Sequence, residues 1–526
     1  MKILICDGLD GSGRALLEAA EGIELEVHEQ LSAAEIKARL PECDALVVRS
    51  RTRVTGELLE CAPRLKVIGR AGTGVDNIDV NTASSRGILV MNTPGVNAMA
   101  AAEHTLALML ALARYVPQAN QSLHDGRWEK NAFVGTELYG QTLGIIGLGR
   151  IGSIVADRAL CLKMEVLCFD PYVLPEAAAI QGVELVPLDE LLARSDFITL
   201  HTPITAETRQ IINRPNLAKM KPGVRLINCA RGGLVDEEAL YEALVEGRVS
   251  GAALDVFNQE PPTANPLLAL PNVIATPHLG ASSVQAQANV ARAIASQILD
   301  YLQTGIIRNA VNFPSLRPKD YEKIRPYLLL AERLGSLQGQ LCTPVQRLEI
   351  VYQGSDLQEI NLQPLTYTVI KGLLDPILEE KVNLVNAPLL LKERQIELVT
   401  SSLPATKGYT GLIAVRVKGK TCESSAAGTV LPGEEVRLVR LNDYPLESEL
   451  EGTNLLIHNL DKPGTIGFIG TTLGAFQVNI ANMHLARTAQ GDRAVAIVRL
   501  DDEAPPEALA ALKDHPNIIS VQQVRL

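Results

Sequence analysis

The chain has 526 residues, room for three or four domains at about 150 residues each. Apolar residues make up 47% and charged residues 21%, the usage of a folded globular protein, which argues against disorder. A net charge of −11 argues against a broad phosphate-binding surface, so nucleic acid is not an expected partner.

The opening run Met1–Cys6 is stopped by Asp7, and no charged segment leads into an apolar stretch of signal length. Short, β-branched runs at Lys2–Cys6, Ala45–Val48, Lys66–Ile68 and Ile88–Met91 predict strands. Helical patterns at Ser32–Leu40 and Thr55–Ala62 lie between them, with Ser32 and Thr55 as expected N-caps. The alternation predicts a parallel sheet covered on both faces. Asn97–Tyr115 reads as a helix; Glu103 and His104 interrupt its apolar run, so it is buried and does not span a membrane. A second unit follows, with strands at Thr142–Ile146, Val166–Asp170, Phe197–Leu200, Arg225–Asn228, Gly251–Asp255 and Val273–Ala275. The helix Ser283–Thr304 is placed to return the chain to the first lobe.

Two prolines mark Asn312–Pro318 as a linker, and a helix is expected at Ile324–Gln340. Residues 454–526 then show a strand–helix–strand–strand–helix–strand order. The eight cysteines are scattered with no Cys-x-x-Cys pair, which argues against a disulfide scaffold and fits a reducing cytoplasm. Nothing has metal-ligand spacing, so no metal is expected.

Gly147-Leu148-Gly149-Arg150-Ile151-Gly152 directly follows the strand Thr142–Ile146 and opens a helix. Its glycines suit, in order, a tight turn, close approach of a pyrophosphate, and tight helix–strand packing. Asp170 ends the next strand, placed to accept hydrogen bonds from an adenosine ribose, which favours NAD. Three later residues carry reaction chemistry. Arg231 suits bidentate capture of a carboxylate, and His278 suits a proton acceptor for an alcohol oxygen. Glu260 suits support of the resulting imidazolium. On position alone each also fits a structural role: a surface pair, a packed ring or a helix cap.

With these segments in hand, residues 1 to about 312 resemble the D-isomer-specific 2-hydroxyacid dehydrogenases, through Gly147–Gly152, Asn228–Gly233, Leu254–Pro262 and Thr276–Gly280. The resemblance implies Arg231, Glu260 and His278 as catalytic residues. It implies NAD contacts from Arg150, Ile151, Asp170, Thr202, Cys229, Ala230, Arg231, Asp255, His278, Gly280 and Ala281. It also implies two doubly wound α/β lobes, a substrate lobe (1–96 and 290–312) and a Rossmann lobe (97–289). An α+β intervening domain (313–451) and a ferredoxin-like ACT domain (452–526) follow.

A phosphorylated hydroxy acid has two anionic ends, so Arg51 and Arg70 beside Arg231 make sense for 3-phospho-D-glycerate. Gly74 and Val75 offer turn amides, and Asn97 lies in the matching segment; a structural ion pair remains the other role for either arginine. In regulated relatives, positions matching Asn459, Asp461 and Asn479 hold L-serine. A homotetramer is expected, with Trp128 at a subunit contact as relatives have it. The alternatives on this fold are a glyoxylate or hydroxypyruvate reductase, or a non-catalytic NAD sensor. The complete Arg–Glu–His set argues against the sensor.

Overall fold

The computed structural model describes residues 1–314, 318–358, 360–404, 408–487 and 493–526. Its first lobe is a five-stranded parallel sheet in the order Glu24–Val27, Lys2–Ile5, Ala45–Val48, Val67–Arg70, Leu89–Met91. The other four strands are almost wholly apolar and buried, as a sheet covered on both faces requires. The edge strand Glu24–Val27 was not expected from the sequence, because its two glutamates break the apolar run. Ser32 caps its helix in a reciprocal box with Glu35, whereas Thr55 makes no side-chain cap bond.

Seven parallel strands form the second lobe: Val273–Ala275, Val249–Leu254, Val224–Asn228, Phe197–Leu200, Thr142–Ile146, Glu165–Phe169 and Glu184–Leu185. The order reverses between Phe197–Leu200 and Thr142–Ile146, which opens a crevice at their carboxyl ends. The helix Ala98–Arg114 packs on this sheet, and the helix Val284–Thr304 does return to the first lobe. Its Ile294 and Ile298 join the first lobe's core, and the carbonyl of Ala291 sits where a side chain at Gly13 would go.

The expected linker is only partly described, since Ser315, Leu316 and Arg317 lie outside the described residues. Its start is bound to the first sheet: Asn312 Oδ1 accepts from Val90 N at 2.9 Å, and Asn312 Nδ2 donates to the Ile88 carbonyl at 2.9 Å. The following helix starts at Pro318, not Ile324, because a residue without an N–H is tolerated in a first turn; it runs to Leu341 with Pro326 inside. This helix and Gln363–Leu374 cover a six-stranded mixed sheet, and Val385 from the same region packs into the first lobe's core.

The last unit is a four-stranded antiparallel sheet, Ile480–Arg487, Arg493–Leu500, Thr453–Leu460, Ile518–Arg525, with two helices, the expected ferredoxin-like arrangement. Gln340 ties it to the long helix through Arg525 N, which donates to Gln340 Oε1 at 2.9 Å.

One expectation fails. Cys342 and Cys422, 80 residues apart, form a disulfide with Cα atoms 5.6 Å apart, joining the end of the long helix to a hairpin. Sequence spacing carried no sign of it because the fold alone brings the two together. The other six cysteines are free.

Candidate active site

Gly147 adopts φ 98°, and a side chain there would strike Thr202 and the His201 carbonyl. A side chain at Gly152 would meet the Gly147 carbonyl oxygen at 2.1 Å, so only glycine lets the helix Arg150–Cys161 pack this close. Over Gly149 there is open space, and no side chain caps the helix that begins behind it. Thr202 Oγ1 is buried with no partner. Asp170 accepts from Leu148 N at 2.8 Å and Tyr172 N at 2.9 Å, which fixes its carboxylate at the end of the neighbouring strand. An uncapped helix N-terminus, open space for a pyrophosphate, an orphaned hydroxyl and a fixed acceptor together fit a dinucleotide.

A cleft of about 1190 Å³ lies between the first two lobes. It brings together Arg51, Arg70, Gly74, Asn97, Arg231, Glu260, His278 and Ala281, which are far apart in sequence. His278 Nδ1 pairs with Glu260 Oε2 at 2.8 Å, while Glu260 Oε1 accepts from Phe257 N at 3.2 Å. Burial pushes the Glu260 carboxyl up, but the bond and charge of His278, with the Phe257 amide, outweigh it and hold the group below its ordinary range. His278 itself has a left-handed backbone, φ 55°, an uncommon conformation for a non-glycine residue.

Asp255 holds that turn. Its carboxylate accepts from Leu279 N at 2.7 Å, Gly280 N at 2.8 Å and Thr276 Oγ1 at 2.5 Å. Arg231 leans across the cleft, with Nε 3.2 Å from Asp76 Oδ2 and a terminal nitrogen 2.3 Å from where a side chain at Gly74 would begin. Its loop is fixed by Asn228, which donates to the Arg231 carbonyl at 2.8 Å and accepts from Ala230 N at 3.1 Å.

Arg70 is mostly buried. Burial first, then the charge of Arg231, pulls its guanidinium down to about 10, against the opposing pull of Asp76. Its Nε has no partner. Asn97 Oδ1 accepts from Thr73 Oγ1 at 2.7 Å. The side chain of Val75 packs against the first lobe's core, and that of Ile151 against the second lobe's. Cys229 and Ala230 also pack against that second sheet, and burial raises the Cys229 thiol to about 12.

Sequence reading passed over Arg49, Arg53 and Arg209, all of which line the cleft. The signal was present for two of them: arginines stand at 49, 51 and 53, directly after the strand Ala45–Val48. Arg51, the one singled out, reaches back to the Glu29 carbonyl and Gln30 Oε1, at 3.4 Å each. Also missed was His104, whose Nε2 lies 3.2 Å from Asp255 Oδ1.

In the last unit, Asn459 is buried, donates to the Leu460 carbonyl at 2.8 Å and leaves Oδ1 unpartnered. Asp461 pairs with Arg487 at 2.9 Å, and Asn479 Nδ2 donates to Asp501 Oδ2 at 2.6 Å. Trp128 is 82% exposed in a segment that also exposes Val116, Leu123, Val134 and Tyr139.

Comparison with known proteins matches three family models in chain order. They are the D-isomer specific 2-hydroxyacid dehydrogenase NAD binding domain (106–280), the D-3-phosphoglycerate dehydrogenase intervening domain (323–442) and the ACT domain (453–517). The D-3-phosphoglycerate dehydrogenase of Synechocystis sp. is 44% identical over 526 residues, 100% of this chain and 95% of the relative. That of Methanocaldococcus jannaschii is 44% identical over 528 residues, with both chains covered completely. The crystal structure of D-lactate dehydrogenase from Aquifex aeolicus, complexed with NAD and lactic acid, superposes with a TM-score of 0.54 and 32% identity. It covers 60% of this chain and 100% of that one.

Proposed function

The chain belongs to the D-3-phosphoglycerate dehydrogenases, NAD-dependent oxidoreductases of the 2-hydroxyacid family, and from that premise we propose how its cleft oxidises 3-phospho-D-glycerate to 3-phosphooxypyruvate. The observation that carries the reading is the His278–Glu260 pair facing Arg231 across an arginine-lined cleft.

Bound NAD supplies the hydride acceptor. Arg231 holds the substrate carboxylate and polarises the reacting carbon's oxygen. With Nδ1 engaged by Glu260, the Nε2 of His278 takes the hydroxyl proton as the alcohol becomes a ketone. Glu260, already ionised, stabilises the imidazolium and fixes its tautomer. The phosphate end lies toward Arg70, Arg49 and Arg51, where cations outnumber acids and a dianion neutralises their mutual repulsion. The substrate carboxylate takes turn amides at Gly74 and Val75, with Asn97 beside them. For NAD, the holding groups are the 147–152 loop, Asp170, Thr202, the 229–231 segment, Asp255 and the 278–281 turn. The assigned division is 1–96 with 290–312, 97–289, 313–451 and 452–526.

The ACT unit is assigned regulation by a small amino acid, L-serine, through Asn459, Asp461 and Asn479; the orphaned Asn459 oxygen supports a missing polar partner. The exposed aromatic and aliphatic segment around Trp128 supports assembly, as a homotetramer. Among the described residues no helix is long and apolar enough to cross a membrane, and the assigned compartment is the cytoplasm.

His278→Ala tests the reading. Loss of a general base costs about 10²–10⁴ in turnover, while NAD affinity is expected to stay within about threefold. Near-normal turnover would remove His278 from the mechanism.

A further inference from the structure

A non-glycine residue in a left-handed backbone is stable only where its surroundings hold it there, and His278 is such a residue. The support is Asp255. Four bonds run from the turn to this one residue: the Leu279 and Gly280 amides and the Thr276 hydroxyl to its carboxylate, and His278 N to its carbonyl at 3.0 Å. The Asp255 side chain is 1% exposed. A buried carboxylate is costly unless its oxygens are hydrogen-bonded.

A further donor to that carboxylate is His104. Its Nε2 lies 3.2 Å from Asp255 Oδ1 and 3.2 Å from Thr276 Oγ1. A carboxylate only accepts, so Nε2 donates. His104 sits on the helix Ala98–Arg114, whose N-cap Asn97 lines the cleft, so one rigid element reaches both the cleft and the underside of the catalytic turn.

We propose that His104 is a positioning residue for the reaction: by supporting the buried Asp255 carboxylate, it holds the turn that aims His278 at the substrate. It touches neither reacting atom. This rests on the reading of His278 as the proton acceptor. Burial pushes the Asp255 carboxyl up, and the bonds from His104, Thr276 and Leu279 more than reverse that, so the anchor stays ionised.

The test compares His104→Leu, which removes the donor, with His104→Gln, whose amide donates from nearly the same place. Steady-state NADH formation from 3-phosphoglycerate gives kcat and KM, and NADH fluorescence gives cofactor affinity. Misplacing a catalytic group by about 1 Å costs up to about 10²-fold. His104→Leu is expected to lose roughly 10–100-fold in kcat, with KM for the acid within about threefold, and His104→Gln to recover most of that loss.

A kcat within twofold of wild type for His104→Leu, a loss confined to KM, or equal loss in both variants would overturn the proposal. Should His104→Leu fail to bind NADH at all, Thr276→Val breaks the same cluster from the other side. A normal kcat there would also overturn it, and a kcat-selective loss would uphold it. Wild type and His278→Ala run alongside. An inactive wild type or an active His278→Ala defeats the catalytic reading, whereas normal behaviour in both with an unaffected His104→Leu defeats this inference alone.

Discussion

Arg70→Met should make the empty protein more stable and the enzyme much worse. Arg70 is a mostly buried guanidinium with an orphaned Nε, next to the like charge of Arg231. Its pKa, pulled down to about 10 from an ordinary value above 12, corresponds to a cost on the order of 3 kcal/mol for holding the charge there. The folded value lies below the unfolded one, so the penalty applies at every pH below about 10 and is fully present at neutrality. Methionine keeps most of the stem's volume and removes the charge. Allowing for the lost contact with the Ala71 carbonyl (3.4 Å), a net gain of about 1–2 kcal/mol remains, or roughly 2–8 °C in the transition of that lobe. The catalytic cost runs the other way. A charge-assisted contact to phosphate is worth about 1.5–3 kcal/mol, so kcat/KM for the phosphorylated acid should fall roughly 10–150-fold. Calorimetry without ligand and initial rates on the same preparation read both effects. A lower melting temperature with kcat/KM within threefold of wild type would mean that Arg70 is a structural ion pair and does not hold the phosphate.

Three further perturbations probe separate parts of the account. Gly152→Ala places a methyl 2.1 Å from the Gly147 carbonyl, and forcing backbone apart costs about 1–3 kcal/mol; NAD should bind at least about tenfold more weakly by titration, and an unchanged affinity would count against the phosphate-loop assignment. Glu26 is held at about 2 by its bond to His28, then by Lys2 and Arg39, against the opposing effect of burial. Its depressed value adds stability above about pH 4.5 that is lost as pH falls toward 2, so Glu26→Gln should cost about 1–2 kcal/mol at pH 7 after screening and progressively less in acid. Urea midpoints showing the same gap at pH 7 and pH 3 would contradict that. Closing an 80-residue loop predicts a loss of about 4 kcal/mol for Cys422→Ser, and alkylation of the unreduced, denatured chain should label six thiols; eight labelled thiols would show that the bridge is absent.

What could be read from the sequence was local. The 147–152 glycines act within one turn, so their spacing between an apolar strand and a helical pattern pointed to their mechanical roles, and a side chain at Gly147 or Gly152 would clash with its neighbours. Strands with continuous apolar runs were equally plain, whereas Glu24–Val27 was hidden because an edge strand can afford charge. Contacts made only by folding left no trace in the sequence. Cys342 and Cys422 meet across 80 residues, and Arg209 reaches a cleft lined mostly by residues far from it in sequence. His104 was read as an interruption of an apolar helix, and its meaning depends on Asp255, 151 residues away. The start of the segment 312–318 is held in the same non-local way: Asn312 is bonded to a strand more than 200 residues earlier.

NADH formation from 3-phosphoglycerate and NAD at alkaline pH with product removal, run with and without L-serine beside unphosphorylated 2-hydroxy acids, tests the substrate and the regulation together. Turnover is expected to prefer the phosphorylated acid strongly and to be suppressed by serine. Turnover that ignores serine would remove the regulatory assignment of the last unit and leave the chemistry intact. Activity confined to unphosphorylated acids would rule out 3-phosphoglycerate as the substrate and make the chain a reductase of the same family.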